Sequence, residues 1–199
     1  MKFFTVLLVF ISMFTATQAQ AKIEQYKFEK PHTQIGFYVG HLGFSHSHGN
    51  FTDFDGEIIF NRAEVAKSSV NVTIQTASVE MGNDVWNEHV RDTFLKPNQF
   101  PTITFRSSSI DVTGENTADI KGNLKISGVT KPVVLKTVFN KEGANPFNKK
   151  YTTGFTATLD IKRSDFGIKE YLPAIGDDIE IRIEVEAECY EGCETVVNP

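Results

Sequence analysis

From Ile179 to Glu188 the sequence alternates without a miss. Ile179, Ile181, Ile183, Val185 and Ala187 are interleaved with Glu180, Arg182, Glu184, Glu186 and Glu188. A period of two places every apolar side chain on one face of an extended strand and every charge on the other. A helix is excluded there, because its apolar residues recur at intervals of three and four. Phe155, Ala157, Leu159 and Ile161 repeat the pattern against Thr156, Thr158, Asp160 and Lys162. Val70, Val72 and Ile74 do so over a shorter stretch, as do Ile35, Phe37 and Val39, and Ile103 with Phe105. Further strands are predicted at Ile23–Phe28, Phe51–Phe60, Ala118–Ile126 and Pro132–Asn140, roughly eight or nine in all. Thr113-Gly114-Glu115-Asn116, Ser127-Gly128 and the longer Gly143–Asn148 stretch separate them as turns. Such short connections leave no room for helical crossovers, so the pairing is antiparallel.

One segment departs from this pattern. Across Asp84–Leu95, the positions of Val85, Trp86, His89, Val90 and Leu95 suit a short amphipathic helix, capped by Asn83 or Asp84 and ended by Pro97. A further helical turn is predicted around Asp165-Phe166-Gly167. Strands with one dry face each are satisfied by a packed sandwich or by a closed barrel. A barrel of about eight strands also abolishes exposed edges and has room for a ligand. No linker or repeat divides the chain, which reads as one domain over 22–199.

The N-terminus is set apart from that domain. Met1-Lys2, an apolar run from Phe3 to Phe14, and Ala19-Gln20-Ala21 have the layout of a secretory signal peptide over 1–21, cleaved after Ala19 or Ala21. The apolar run is too short to cross a bilayer as a helix, which takes about 20 residues. Loss of Lys2 takes the formal net charge from −5 to −6, and no basic block recurs with aromatics, so no nucleic-acid partner is expected. Export places Cys189 and Cys193 in an oxidising compartment, where their spacing fits a small terminal disulfide. Four of the 17 phenylalanines lie in the leader. The remaining rings suit either a greasy ligand cavity or a solid core.

Motifs for catalysis are scarce. The chain has no Gly-x-Ser-x-Gly elbow, phosphate loop, His-Glu-x-x-His or dinucleotide fingerprint. Asp177-Asp178 reads as a solvated turn, and Asn71-Val72-Thr73 is a weak glycosylation match inside a strand. The one cluster with ligating chemistry is His41, His46 and His48, with His32 before it and Asp53 and Asp55 after it. Three imidazoles suit zinc or copper, so a metal-dependent periplasmic enzyme is the alternative reading. Against it, Gly43, Ser45, Ser47 and Gly49 read as a flexible polar turn. A solid-core interaction protein is a third reading.

In order along the chain come His32-x-x-Ile35-x-Phe37-x-Val39-x-His41, Gly49-x-Phe51, Phe54-x-Gly56, Phe94, and Phe100-Pro101-x-Ile103-x-Phe105-x-Ser107. Gly122-x-Leu124-x-Ile126-x-Gly128-x-Thr130-Lys131-Pro132 and Arg163-Ser164-Asp165-Phe166-Gly167-Ile168 follow. Together these motifs span nearly all of 22–187, and with them the chain resembles the YceI-like family, secreted bacterial proteins that bind polyisoprenoids. Glu88-His89 also matches, although Val90 and Arg91-Asp92-Thr93 depart from the family pattern there, and the cysteine tail is an addition. The resemblance implies an all-β fold, a lipocalin-like extended antiparallel β-barrel of about eight strands with one or two short helices. It implies a periplasmic binding protein, not an enzyme, with no cofactor. Its ligand would be an isoprenoid or other long apolar lipid, of quinone or polyprenyl type, held in a hydrophobic tunnel. Transport, storage or stress response is the implied role, and transient membrane contact and a homodimer are compatible with it.

Alternation and helix position then nominate the tunnel lining: Phe37, Val39, Phe51, Phe60, Val72, Ile74, Trp86, Phe94, Phe105, Phe155, Leu159, Ile181 and Ile183. No metal ligands are assigned to the site. Gly122, Gly128 and Pro132 are expected to set turns. Arg163 and Asp165 are expected to pair and fix the last corner.

Overall fold

Alternating strands with nothing between them but tight turns have to pair edge to edge, and here they do so until the sheet closes. The computed structural model describes residues 22–193; the expected leader over 1–21 lies outside the described residues. Eleven strands form one antiparallel sheet: β1 (Ile23–Phe28), β2 (Gln34–His41), β3 (Ser45–Phe51), β4 (Phe54–Asn61), β5 (Ser69–Gln75) and β6 (Val79–Glu80), then β7 (Thr102–Gly114), β8 (Thr117–Ile126), β9 (Val129–Ala144), β10 (Tyr151–Lys162) and β11 (Ile175–Glu191). The ring runs β1-β4-β5-β7-β8-β9-β10-β11 and returns to β1, a closed barrel of eight strands.

The closure depends on β11, whose 17 residues pair with two partners in succession. Its first part lies along β2, with Ile181 opposite Phe37, and its last part along β1, with Ala187 opposite Phe28. The β1–β2 and β3–β4 segments are therefore each one long strand broken in the middle. The stretch Phe51–Phe60, expected as one strand, is interrupted after Phe51 and resumes at Phe54.

Several local expectations are corrected. His46–Gly49 is part of β3 and not a flexible turn, because its small residues occupy the inner face under bulky neighbours. A Cβ on Gly49 would collide with the rings of Phe37. Gly122 is likewise inside β8, where the Phe105 ring of the adjacent strand lies across it. Pro132 is within β9, opposite Asn123. Of the three expected turn residues, Gly128 alone is in a turn, at φ 78°.

The helical departure is α1 (Asp84–His89), continued by a π-helical turn at Val90–Leu95. Asn83 caps it, its side-chain oxygen accepting the Trp86 N–H at 3.0 Å. Lys96 in the left-handed region, φ 51°, ends it before Pro97. The Asn87 amide donates to Glu80 at 2.8 Å and holds α1 against β6 across one end of the barrel.

Candidate functional site

The inner faces enclose a lumen of about 550 Å³, within the range of small-molecule sites. The 12 residues of β10 at ~3.3 Å each span about 40 Å, or about 30 Å along the axis of a tilted barrel. The lumen is thus long and narrow.

Its wall is built by strand parity. Phe155, Leu159 and their neighbour Ala157 face inward from β10, and Ile181 and Ile183 from β11. Val72 and Ile74 come from β5, Phe60 from β4, and Phe105 from β7. Phe37 and Val39 of β2 and Phe51 of β3 complete the same wall, the Phe37 and Phe51 rings 5.8 Å apart. Phe94 reaches in from the π-helical turn. Trp86, two helical turns earlier, lies outside the lumen. It is 41% exposed and borders a second, smaller cavity of about 360 Å³ with His41, His89 and Tyr171. The two cavities share Val39, Met81, Val90, Phe94 and Ile175, so the second is a vestibule against one end of the first.

Residues the alternation does not nominate occupy both ends. At the vestibule end, Arg163 is 5% exposed, and its guanidinium is 5.5 Å from the Phe94 ring. It does not pair with Asp165. Its three nitrogens donate to the carbonyls of Gly176 (2.7 Å), Ile175 (2.8 Å) and Ile168 (3.2 Å), clamping the corner before β11. Burial draws its pKa down, with Asp177 and Glu170 opposing. Asp177 accepts hydrogen bonds from the Ser164 N–H and hydroxyl instead.

At the far end, Glu24, Tyr26 and Phe28 share the inward face of β1. Glu24 and Tyr26 are almost wholly buried. The Tyr26 hydroxyl donates to Glu24 at 2.7 Å, and burial followed by that hydrogen bond pushes the phenol well above its usual range. Arg62 donates to Glu24 and, through both terminal nitrogens, to Glu142 at 2.8 and 2.7 Å. Arg62 follows β4 and Glu142 lies on β9, opposite positions in the eight-strand ring, so the pair spans the lumen. The available signal was a broken rule: Glu24 is a carboxylate on the face that carries Tyr26 and Phe28.

The histidine cluster is not assembled. Register places Ser47 opposite Val39 and His48 opposite Tyr38, so His41 shares the inner face while His46 and His48 point outward. His48 lies on the Tyr38 ring at 4.7 Å. Among the described residues no group of three or more His, Cys, Asp or Glu is placed to hold a metal ion. Cys189 and Cys193 form a disulfide, Sγ–Sγ 2.09 Å, beyond the part of β11 that lines the lumen.

Comparison with known proteins agrees with this geometry. The YceI-like domain family matches residues 26–187. A UPF0312 protein of Ectopseudomonas mendocina is 39% identical over 170 residues, covering 84% of this chain and 88% of the relative. A Campylobacter jejuni YCEI protein superposes with a TM-score of 0.66 at 32% identity, covering 75% of this chain and 89% of its own. Burkholderia cenocepacia BcnA (TM-score 0.73, 24% identity, 80% and 98% covered) shares the fold. So does a polyisoprenoid binding domain from Saccharophagus degradans (TM-score 0.65, 14% identity, 86% and 100% covered).

Proposed function

The chain belongs to the YceI-like family, and we propose that it binds an isoprenoid or other long apolar lipid, of quinone or polyprenyl type, inside the barrel. The observation that carries this reading is the lumen itself: a long channel walled by Phe, Ile, Leu and Val from nearly every strand. Each CH₂ moved from water into such a wall contributes about 0.8 kcal/mol, so a prenyl tail accumulates affinity by length alone. The family match and the Saccharophagus degradans relative described as polyisoprenoid binding support the choice of ligand class. Binding and not catalysis is the proposed activity, because the lumen wall is built overwhelmingly of apolar side chains. The setting proposed is the periplasm, after removal of 1–21, in transport, storage or a stress response.

Organic extraction of the protein purified from its natural compartment, followed by mass spectrometry, tests this. A co-purified isoprenoid in near-stoichiometric amount is the expected result. A protein that carries none, and takes up none when mixed with a prenyl alcohol, refutes the proposal. N-terminal sequencing of the same sample reads the leader cleavage, expected after Ala19 or Ala21.

A further inference from the structure

The exposed large apolar side chains are unevenly distributed. Leu42, Phe44, Val85, Trp86, Tyr171 and Leu172 are 53, 89, 76, 41, 56 and 36% exposed; Leu42, Trp86 and Tyr171 line the vestibule, and Phe44, Val85 and Leu172 lie within two residues of them in sequence. Three separate elements supply them: the β2–β3 turn, the first turn of α1, and the loop before β11. Their adjacency is explicit. The Leu42 N–H donates to the Ala174 carbonyl at 2.8 Å, Trp86 lies 5.8 Å from His41, and Tyr171 5.7 Å from His89.

Backbone geometry shows that this display has a cost. Three residues separate the paired His41 and Ser45 in the β2–β3 connection, where the Phe44 N–H donates to the His41 carbonyl at 3.0 Å and closes a turn with left-handed residues at both central positions, Leu42 (φ 52°) and Gly43 (φ 74°). Asn-Gly is the low-strain choice for such a turn. Leucine at its first position accepts strain and gains an apolar tip. Tyr171 repeats the arrangement on the adjoining loop, at φ 58°. Two neighbouring loops thus each hold a large apolar side chain outward from a conformation that disfavours it.

We propose that this rim docks on the interfacial layer of a lipid bilayer of zwitterionic headgroups, so that the vestibule opens onto the membrane. Charge supports that occupant. None of the six residues carries a formal charge; of the ionised neighbours, Arg91 pairs with Asp92 at 2.7 Å and Lys96 with Glu170 at 2.6 Å, which leaves Asp84 and Glu88 on α1 and Lys169 on the loop before β11. With two acids against one base beside it, the rim has no cationic stripe for an anionic surface, and a zwitterionic one suits it. Trp and Tyr are the side chains that favour the boundary between headgroup and hydrocarbon. A second copy of the chain is a poorer fit, since a stable protein interface uses roughly 20–30 residues a side and these are six on separate protruding tips. The inference draws on the proposed lumen function only for what crosses the rim.

Trp86 is the single tryptophan, so its emission reports docking directly. The mature protein is titrated with phosphatidylcholine vesicles in the absence of any prenyl ligand. A blue shift that saturates with lipid, and that salt leaves unchanged, is the expected result. The double variant Phe44→Ser/Val85→Ser alters neither cavity wall and should lower vesicle partition by roughly tenfold or more, while still retaining a prenyl alcohol. Phe147→Ser, which removes a 93% exposed ring from the β9–β10 loop, should leave partition unchanged. No shift with vesicles, undiminished partition of the double variant, or a Trp86 shift on concentrating the protein without lipid would each overturn the proposal, the last assigning the rim to a second copy. Because no ligand is present, failure here leaves the lumen function standing, and failure of prenyl binding leaves the vesicle result readable.

Discussion

Arg62 sets its Nε 2.8 Å from a carboxylate oxygen of Glu24, a side chain with no solvent exposure. The same guanidinium grips Glu142 across the barrel, so one side chain joins β1, the end of β4 and β9. Removing one member of a buried ion pair costs more than the pair contributes, because the survivor stays desolvated without its partner. Arg62 keeps Glu142, so Glu24→Gln falls at the low end of the usual range. We expect a loss of about 3 kcal/mol, seen as a Tm lower by roughly 6–12 °C for a chain of this length. Thermal unfolding followed by circular dichroism measures it.

The same network fixes a pH dependence. Burial alone would raise the Glu24 carboxyl, but hydrogen bonds from Arg62 and Tyr26, with the Arg62 charge, hold it below its ordinary value of 4.5. A carboxylate whose folded pKa is depressed contributes stability that is complete above the unfolded value and is lost as pH falls through the folded one. The difference in Tm between the parent and Glu24→Gln should therefore be constant above about pH 5 and shrink as pH drops below about 4. A difference that persists undiminished at low pH would show that Glu24 does not act through its charge.

Ala157 faces the middle of the lumen from β10, between Thr137 and Ile183 on the adjoining strands. In a filled core, Ala157→Phe would overpack and cost about 1–3 kcal/mol. In an open lumen the added ring enters empty space. We expect a Tm within about 3 °C of the parent and a drop of at least roughly tenfold in retained prenyl alcohol. Loss of stability without change in retention would indicate that the interior is already full.

Arg163 satisfies three carbonyls at the corner before β11 with a planar fork. Lysine offers a point charge and cannot reach all three. Arg163→Lys should cost about 2–3 kcal/mol through carbonyls left unpaired, measured as a lower denaturant midpoint at unchanged slope. A variant as stable as the parent would remove the corner clamp from the account.

Much of this architecture is legible in the sequence because parity carries it. Once Ile179–Ala187 is read as a strand, Ile181 and Ile183 must share a face, and the same holds for Phe155 with Leu159 and Val72 with Ile74. The inner wall follows without knowledge of which strand pairs with which. What parity cannot reach is contact between residues far apart in sequence. Arg62 and Glu142 meet only because eight strands close a ring, and nothing near either position indicates the other. Trp86 has the right helical phase but the wrong height, since the placement of α1 along the barrel axis is set by Glu80 and Asn87. The histidines near Gly49 look like a turn by composition. Small residues are there because the Phe37 ring occupies the space a side chain would need.

The central claim, that a prenyl chain lies within the barrel, is tested most directly by nuclear Overhauser contacts. Delipidated protein, deuterated except for its Ile, Leu and Val methyls, is mixed with protonated geranylgeraniol. Cross-peaks from the ligand to the methyls of Val72, Leu159, Ile181 and Ile183, and none to outward-facing Val138, are the predicted result. Contacts confined to exterior methyls, or no contacts at saturating ligand, would contradict it.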